Sequence, residues 1–181
     1  MAADILLISE NAVRTVTAIS DNVAGKYLRA SIQEAQAVGF CGIVGDTLYA
    51  KLCNLVDTGD ISLPANAAYK ALLDKARYYL AYSAAVELVP KVTYKVANAG
   101  VVKTPDEKVE VATEPDMAKK ASYYQAKADR ACVDVQNFIL NNRADYPELT
   151  EGDCHRIHSN LYSAATCGIW LGGPRGKWIK R

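Results

Sequence analysis

The sequence predicts a mainly α protein: a helical bundle with a long central helix pair, an exposed loop near 98–112 and an extended C-terminal arm. Three observations carry that expectation. Apolar residues recur three and four apart along most of the chain as far as Arg143. Pro64 and Pro115 stand where the first turns of two long helical stretches would lie, and proline fits there because its missing N–H has no partner to lose. After Asp153 the periodicity lapses and the composition changes.

Taken in order, Ser9 or Ser20 can cap early helical turns. A stronger helix is expected from about Ser20–Asp21, with Leu28, Ile32 and Ala35 on one face. Gly39 ends it, and GFCGIVGD reads as a tight connector. Asp46 then caps a short helix with Leu48, Leu52 and Leu55 on one stripe, closed by Thr58-Gly59-Asp60.

From Pro64 to Val89 the pattern is helical but apolar on more than one side, through Tyr69, Leu72, Leu73, Ala76, Tyr79, Leu80, Ala84 and Leu88. Such a helix is either the centre of a bundle or packed against a neighbouring subunit. On the second reading Tyr78, Tyr79 and Tyr82 belong to a subunit interface. Pro90 is expected to break or kink this helix. The stretch KVTYKVANAGVVK alternates Val92, Tyr94 and Val96, so a short strand and a frayed helix end both stay open. Asn98, Gly100 and Pro105 with mixed charges make 98–112 an exposed loop. Thr113-Glu-Pro-Asp116 is a capping box, opening a helix to about Arg143 with Met117, Ala121, Tyr124, Ala128, Ala131, Val135 and Phe138 on its stripe. Lys119, Lys120, Lys127, Asp129, Arg130 and Asp134 lie off it.

These signals divide the chain into a helical domain over 1–158 and an arm over 159–181. The arm is glycine-rich, yet Ile169, Trp170, Leu171 and Trp178 are costly to leave in water, and Arg175, Lys177, Lys180 and Arg181 flank them. Apolar anchors with basic flanks suit docking on another chain; folding back onto the chain's own bundle is the alternative.

Charge and chemistry narrow the function classes. The 21 basic and 20 acidic residues leave a net charge of +1, which argues against coating nucleic acid by bulk charge. Tyr, at 11, outnumbers Phe and Trp at 2 each, and suits surfaces that are half buried or meet a partner. Five cysteines without CxxC spacing read as reduced thiols in a cytosol. MAADILLISE lacks a basic region and reads as no signal peptide. The apolar run at 78–86 is far short of the roughly 20 residues of a membrane span, so no membrane partner is expected.

Cys154, His155, His158 and Cys167 have zinc-ligand chemistry, but adjacent Cys154 and His155 would have to bend back onto one ion, so no metal is expected. No elbow or oxyanion turn accompanies a Cys–His pair. GGPRGK at 172–177 has Trp178 where a phosphate loop needs Ser or Thr, and no strand precedes it. The pairs Asp57/Asp60 and Glu148/Glu151 sit at helix ends or in loops, where carboxylates cap and solvate. No catalytic residue, cofactor or metal site is therefore expected, and no enzyme activity.

Four stretches go further: GIVGDTLYAKL at 42–52, the run from Tyr69 to Lys103, Tyr-Pro-Glu-Leu at 146–149, and CGIWLGGPRG at 167–176. In their order and spacing the chain resembles the small head–tail connector (neck ring or adaptor) proteins of tailed phages, particularly crAss-like and other Bacteroides-infecting phages. The resemblance runs from about Ile8 to Arg181. It implies a structural virion protein, made in the bacterial host cytoplasm, that forms a homo-oligomeric ring of twelve copies below the portal at the head–tail junction. Its implied partners are itself, the phage portal protein and the next neck or tail ring component. Genomic DNA would pass through the lumen without sequence-specific binding. A DNA-associated packaging or regulatory protein using the basic C-terminal tail is the alternative.

Overall fold

A computed structural model describes residues 5–97, 100–103 and 113–149, and side chains over 5–92 and 113–149. Helix α1 (Glu10–Thr17) opens as expected from Ser9, whose hydroxyl accepts the Ala12 N–H at 3.2 Å. Arg14 folds the chain back after α1 by donating to the Ser20 and Val23 carbonyls at 2.5 and 2.8 Å. Helix α2 therefore begins at Gly25, later than the sequence suggested, and runs to Glu34.

Gly39 does not stop that helix. The backbone widens into a π turn over Ala35–Phe40 and continues into a short α3 (Cys41–Val44). The Cys41 N–H reaches back five residues to the Gln36 carbonyl. Spacing explains the widening. The buried residues Leu28, Ile32, Gln36, Phe40 and Val44 recur every four positions, and an α-helix advances about 100° per residue, so such a stripe drifts about 40° per step. The wider π turn advances less per residue and brings the stripe back to the core. Gly39 is needed for packing, since a Cβ there would sit 2.5 Å from the Tyr79 hydroxyl.

Helix α4 (Asp46–Asp57) buries Leu48, Leu52 and Leu55 as its pattern required. Its cap is Gly45, at φ 83°, and Asp46 is the first helical residue, with its carboxylate accepting from the Cys41 thiol at 3.2 Å. Gly59, at φ 79°, turns the chain out. Two single 3₁₀ turns, the second begun by Pro64, lead into α5 (Ala67–Thr93). Pro90 does not break α5: the helix runs three residues beyond it.

The two readings left open at 91–103 each hold for part of it: α5 ends at Thr93 and strand begins at Tyr94. β1 (Tyr94–Ala97) pairs antiparallel with β2 (Gly100–Lys103), Tyr94 opposite Lys103, so the expected loop already contains a strand at 100–103. Residues 98–99 and 104–112 lie outside the described residues. Helix α6 (Glu114–Asn141) starts at Thr113 with Pro115 in its first turn. The Thr113 hydroxyl donates to the Asp116 carboxylate at 2.5 Å instead of capping the backbone. Its buried stripe is Tyr124, Ala128, Ala131, Val135 and Ile139, while Phe138 is half buried.

The fold is mainly α, a helical bundle with α5 at its centre. Helix α6 lies antiparallel along one side of α5, and α1, α2 and the π turn cover another. The far end is clasped twice: Tyr146 donates to the Ala68 carbonyl at 3.0 Å, and Tyr69 donates to Glu148 at 2.7 Å, with the two rings edge to face at 5.9 Å. The N-terminal strand of chain is held by buried Gln36, which accepts from the Leu7 N–H at 3.0 Å and donates to the Ile5 carbonyl at 2.6 Å.

Candidate functional site

The long α5–α6 pair has one face that the rest of the described chain leaves open. Tyr78 and Tyr82 come from α5, Tyr123 from α6, and between them runs a groove of about 500 Å³. Tyr78 is 57% exposed and Tyr123 53%, whereas Tyr82 is half buried and stacks on Tyr124, with centroids 6.5 Å apart. Lys75, Lys127 and Arg130 rim the groove against a single carboxylate, Asp134.

Helical spacing puts these groups together. Lys120, Tyr123, Lys127 and Arg130 follow one another at three and four residues, so they share a stripe next to the buried one. Lys127 sits 5.4 Å from the Tyr123 centroid and 6.0 Å from that of Tyr82. Lys120 lies 5.6 and 4.9 Å from Tyr123 and Tyr124. Among the described residues no carboxylate comes within ion-pair distance of Lys75, Lys120, Lys127 or Arg130. The ammonium groups are therefore steered by ring faces, and the charge they carry remains available to a partner.

Two smaller hollows extend the groove toward the hairpin. One joins Ala18 and Ile19 to Leu88, Val92 and Tyr124. The other lies between Thr17, Asp116, Lys119 and Tyr123. The Tyr124 hydroxyl closes this end by donating to the Thr17 carbonyl at 3.2 Å, which satisfies a carbonyl at the end of α1.

The three tyrosines expected at a subunit interface divide. Tyr78 and Tyr82 line the groove, but Tyr79 is turned into the chain's own core at 8% exposure, with its ring 6.4 Å from Phe40. Burial pushes its phenol up from the ordinary value. It cannot serve a neighbour without unpacking Gly39 and Phe40. The apolar faces of α5 are mostly covered within the chain, as a bundle centre requires. Cys132 is also half buried beside this core, and burial with nearby Asp129 raises its thiol to about 11, which makes it a poor nucleophile.

The arm residues Ile169, Trp170, Leu171, Arg175, Lys177, Trp178, Lys180 and Arg181 lie outside the described residues, as do Cys154, His155, His158 and Cys167. Among the described residues no three His, Cys, Asp or Glu side chains converge on one point. No described helix is long and apolar enough to cross a membrane. Sequence reasoning misses Tyr123 and Lys75, and places Lys127 and Arg130 off the apolar stripe without giving them a role. The legible signal was Tyr123 set among cations off the apolar stripe.

Fold and site together define a mainly helical protein with a central antiparallel helix pair and an aromatic, cation-rimmed groove on its open face. The chain belongs to a family of unknown function, DUF6712, whose match covers residues 41–158 of the 181. That span takes in α4, α5, the hairpin and α6, and so the whole groove. No curated protein and no solved structure matches the chain.

Proposed function

We propose that this protein is a non-catalytic structural subunit of a tailed-phage virion, forming a homo-oligomeric ring below the portal that extends the DNA channel and joins head to tail. The carrying observation is the groove: Tyr78 and Tyr123 are more than half exposed on one face of the longest helix pair, beside cations with no carboxylate partner in the described chain. An aromatic patch with uncompensated charge is what a face meeting another subunit presents before assembly. The resemblance to head–tail connector proteins supplies the kind of assembly, the portal as the template, and an expected twelve copies. The arm over 159–181 is assigned to a neighbour or the portal on its Trp170 and Trp178 anchors and basic flanks.

Electron microscopy of this protein mixed with its phage's portal, and of the protein alone, tests the reading. Added ring density at one end of the portal is the expected result. Two folded proteins with no added density would sink the portal-adaptor role. Salt-sensitive DNA binding lost on neutralising Arg175, Lys177, Lys180 and Arg181 would then favour the DNA-associated alternative.

A further inference from the structure

The groove has a definite chemistry, and the chain carries a segment of the complementary one. Three cations face one carboxylate along it, with tyrosine rings as its walls. Its occupant must bring carboxylates and a few apolar side chains. Residues 104–112, Thr-Pro-Asp-Glu-Lys-Val-Glu-Val-Ala, hold Asp106, Glu107 and Glu110 against Lys108, with Val109 and Val111 on either side of Glu110. We infer that the α5–α6 groove of one subunit receives the acidic 104–112 segment of a second copy of this chain. The inference rests on the ring reading above and names the contact that would close the ring.

Reach decides between a second copy and the same chain. The segment is tethered at Lys103, which pairs with Tyr94 just beyond the end of α5, and at Thr113, just before α6. Both tethers thus lie at one end of the antiparallel pair. Arg130 is sixteen residues past Glu114 on α6, or about 24 Å along the axis. Nine residues that must go out and come back reach only about 15 Å. The chain's own segment falls short of Lys75, Arg130 and Asp134. A segment arriving from a neighbour meets no such limit, and one face receiving a different element of the next copy is a heterologous contact of the kind that builds rings.

The same geometry disfavours the other occupants. The C-terminal segment 159–181 is basic and would meet like charge in the groove. A single-stranded nucleic acid needs several free ring faces for successive bases, whereas Tyr82 lies against Tyr124 and Lys127, and Tyr123 against Lys120 and Lys127, which leaves Tyr78 as the open ring of the three.

The test uses a fluorescent peptide of residues 104–112, capped at both ends, and the full chain. Saturable binding is expected, weakened about tenfold or more in the K127E/R130E chain, since two reversed charges shift binding by about 1.4 kcal/mol, equivalent to tenfold. A peptide with Asp106→Asn, Glu107→Gln and Glu110→Gln should lose binding similarly. In the full chain, D106K/E107K/E110K should fail to self-associate, as should K127E/R130E, and mixing the two should restore association. No saturable peptide binding to the folded wild-type chain overturns the inference, as does undiminished binding to K127E/R130E. Loss of oligonucleotide binding in K127E/R130E, with no peptide binding, makes the groove a nucleic-acid surface and also overturns it. Normal rings of K127E/R130E on the portal would reject this contact and leave the ring reading standing. Peptide binding without any wild-type ring would do the reverse.

Discussion

The two sides of α5 are built on opposite principles. Toward α1, α2 and the π turn the packing is dry and closely fitted: Leu28, Ile32, Phe40 and Val44 are each fully buried, and Gly39 is small because Tyr79 needs the space. Toward solvent, along α6, the same helix pair presents Tyr78, Tyr123 and cations that have no carboxylate partner among the described residues, around an open groove. The first side determines that the chain folds, and the second has little to do with folding. Function is therefore expected where stability is least invested, and the contrast can be broken by experiment.

The largest effect should come from alkali. Burial, helped by neighbouring Cys53, Glu148 and Asp145 respectively, raises the phenols of Tyr49, Tyr69 and Tyr146 to about 12. In the unfolded chain they lose protons near 10. The folded state therefore holds more protons between those values, so stability is complete below pH 10 and falls as pH rises toward 12. Absorbance of ionised tyrosine and far-ultraviolet circular dichroism should show these tyrosines titrating together with loss of helix. Their ionisation with helices intact would mean that the dry side is wetter than described.

Phe40→Ala comes next, at about 3–5 kcal/mol by denaturant unfolding, because it removes a fully buried ring and leaves a cavity. Gly39→Ala should cost about 1–3 kcal/mol by pushing Tyr79 from its place, and G39A combined with Y79F should recover part of that loss. At the small end, Tyr78→Ala with Tyr123→Ala should change stability by less than about 0.5 kcal/mol each, yet impair ring formation on the portal. A folded double variant that still assembles as well as wild type would erase the functional half of the contrast.

How far the sequence carried differs by region for physical reasons. Leu48, Leu52 and Leu55, the Ser9 cap and the start of α6 at Thr113 were legible because their signals are local. The wide turn at 35–40 was not. A glycine inside a helical pattern ordinarily argues for an end, and only the Tyr79 hydroxyl, forty residues on, explains why Gly39 continues it. Tyr79 was misassigned for the same reason: adjacent Tyr78 and Tyr79 stand about 100° apart around α5, and periodicity cannot say which direction another element covers. The groove was half legible: the sequence names Tyr78 and Tyr82, but of their α6 counterparts it places Lys127, Arg130 and Asp134 only off the apolar stripe and leaves out Tyr123. Pro90 forfeits its own i→i−4 bond, but only three helical residues follow it, so α5 ends soon after rather than at the proline.

The π turn at 35–40 has a consequence for how this chain tolerates change in length. It is a helical turn that holds one residue more than an α turn while the stripe on either side stays on the core. Deleting the exposed Ala37 should let the turn close to ordinary α geometry, with Ile43 and Val44 kept close to their present orientation relative to Leu28 and Ile32. A one-residue deletion is taken up here as a loss of width, whereas the same deletion within α2 would rotate everything beyond it by about 100°.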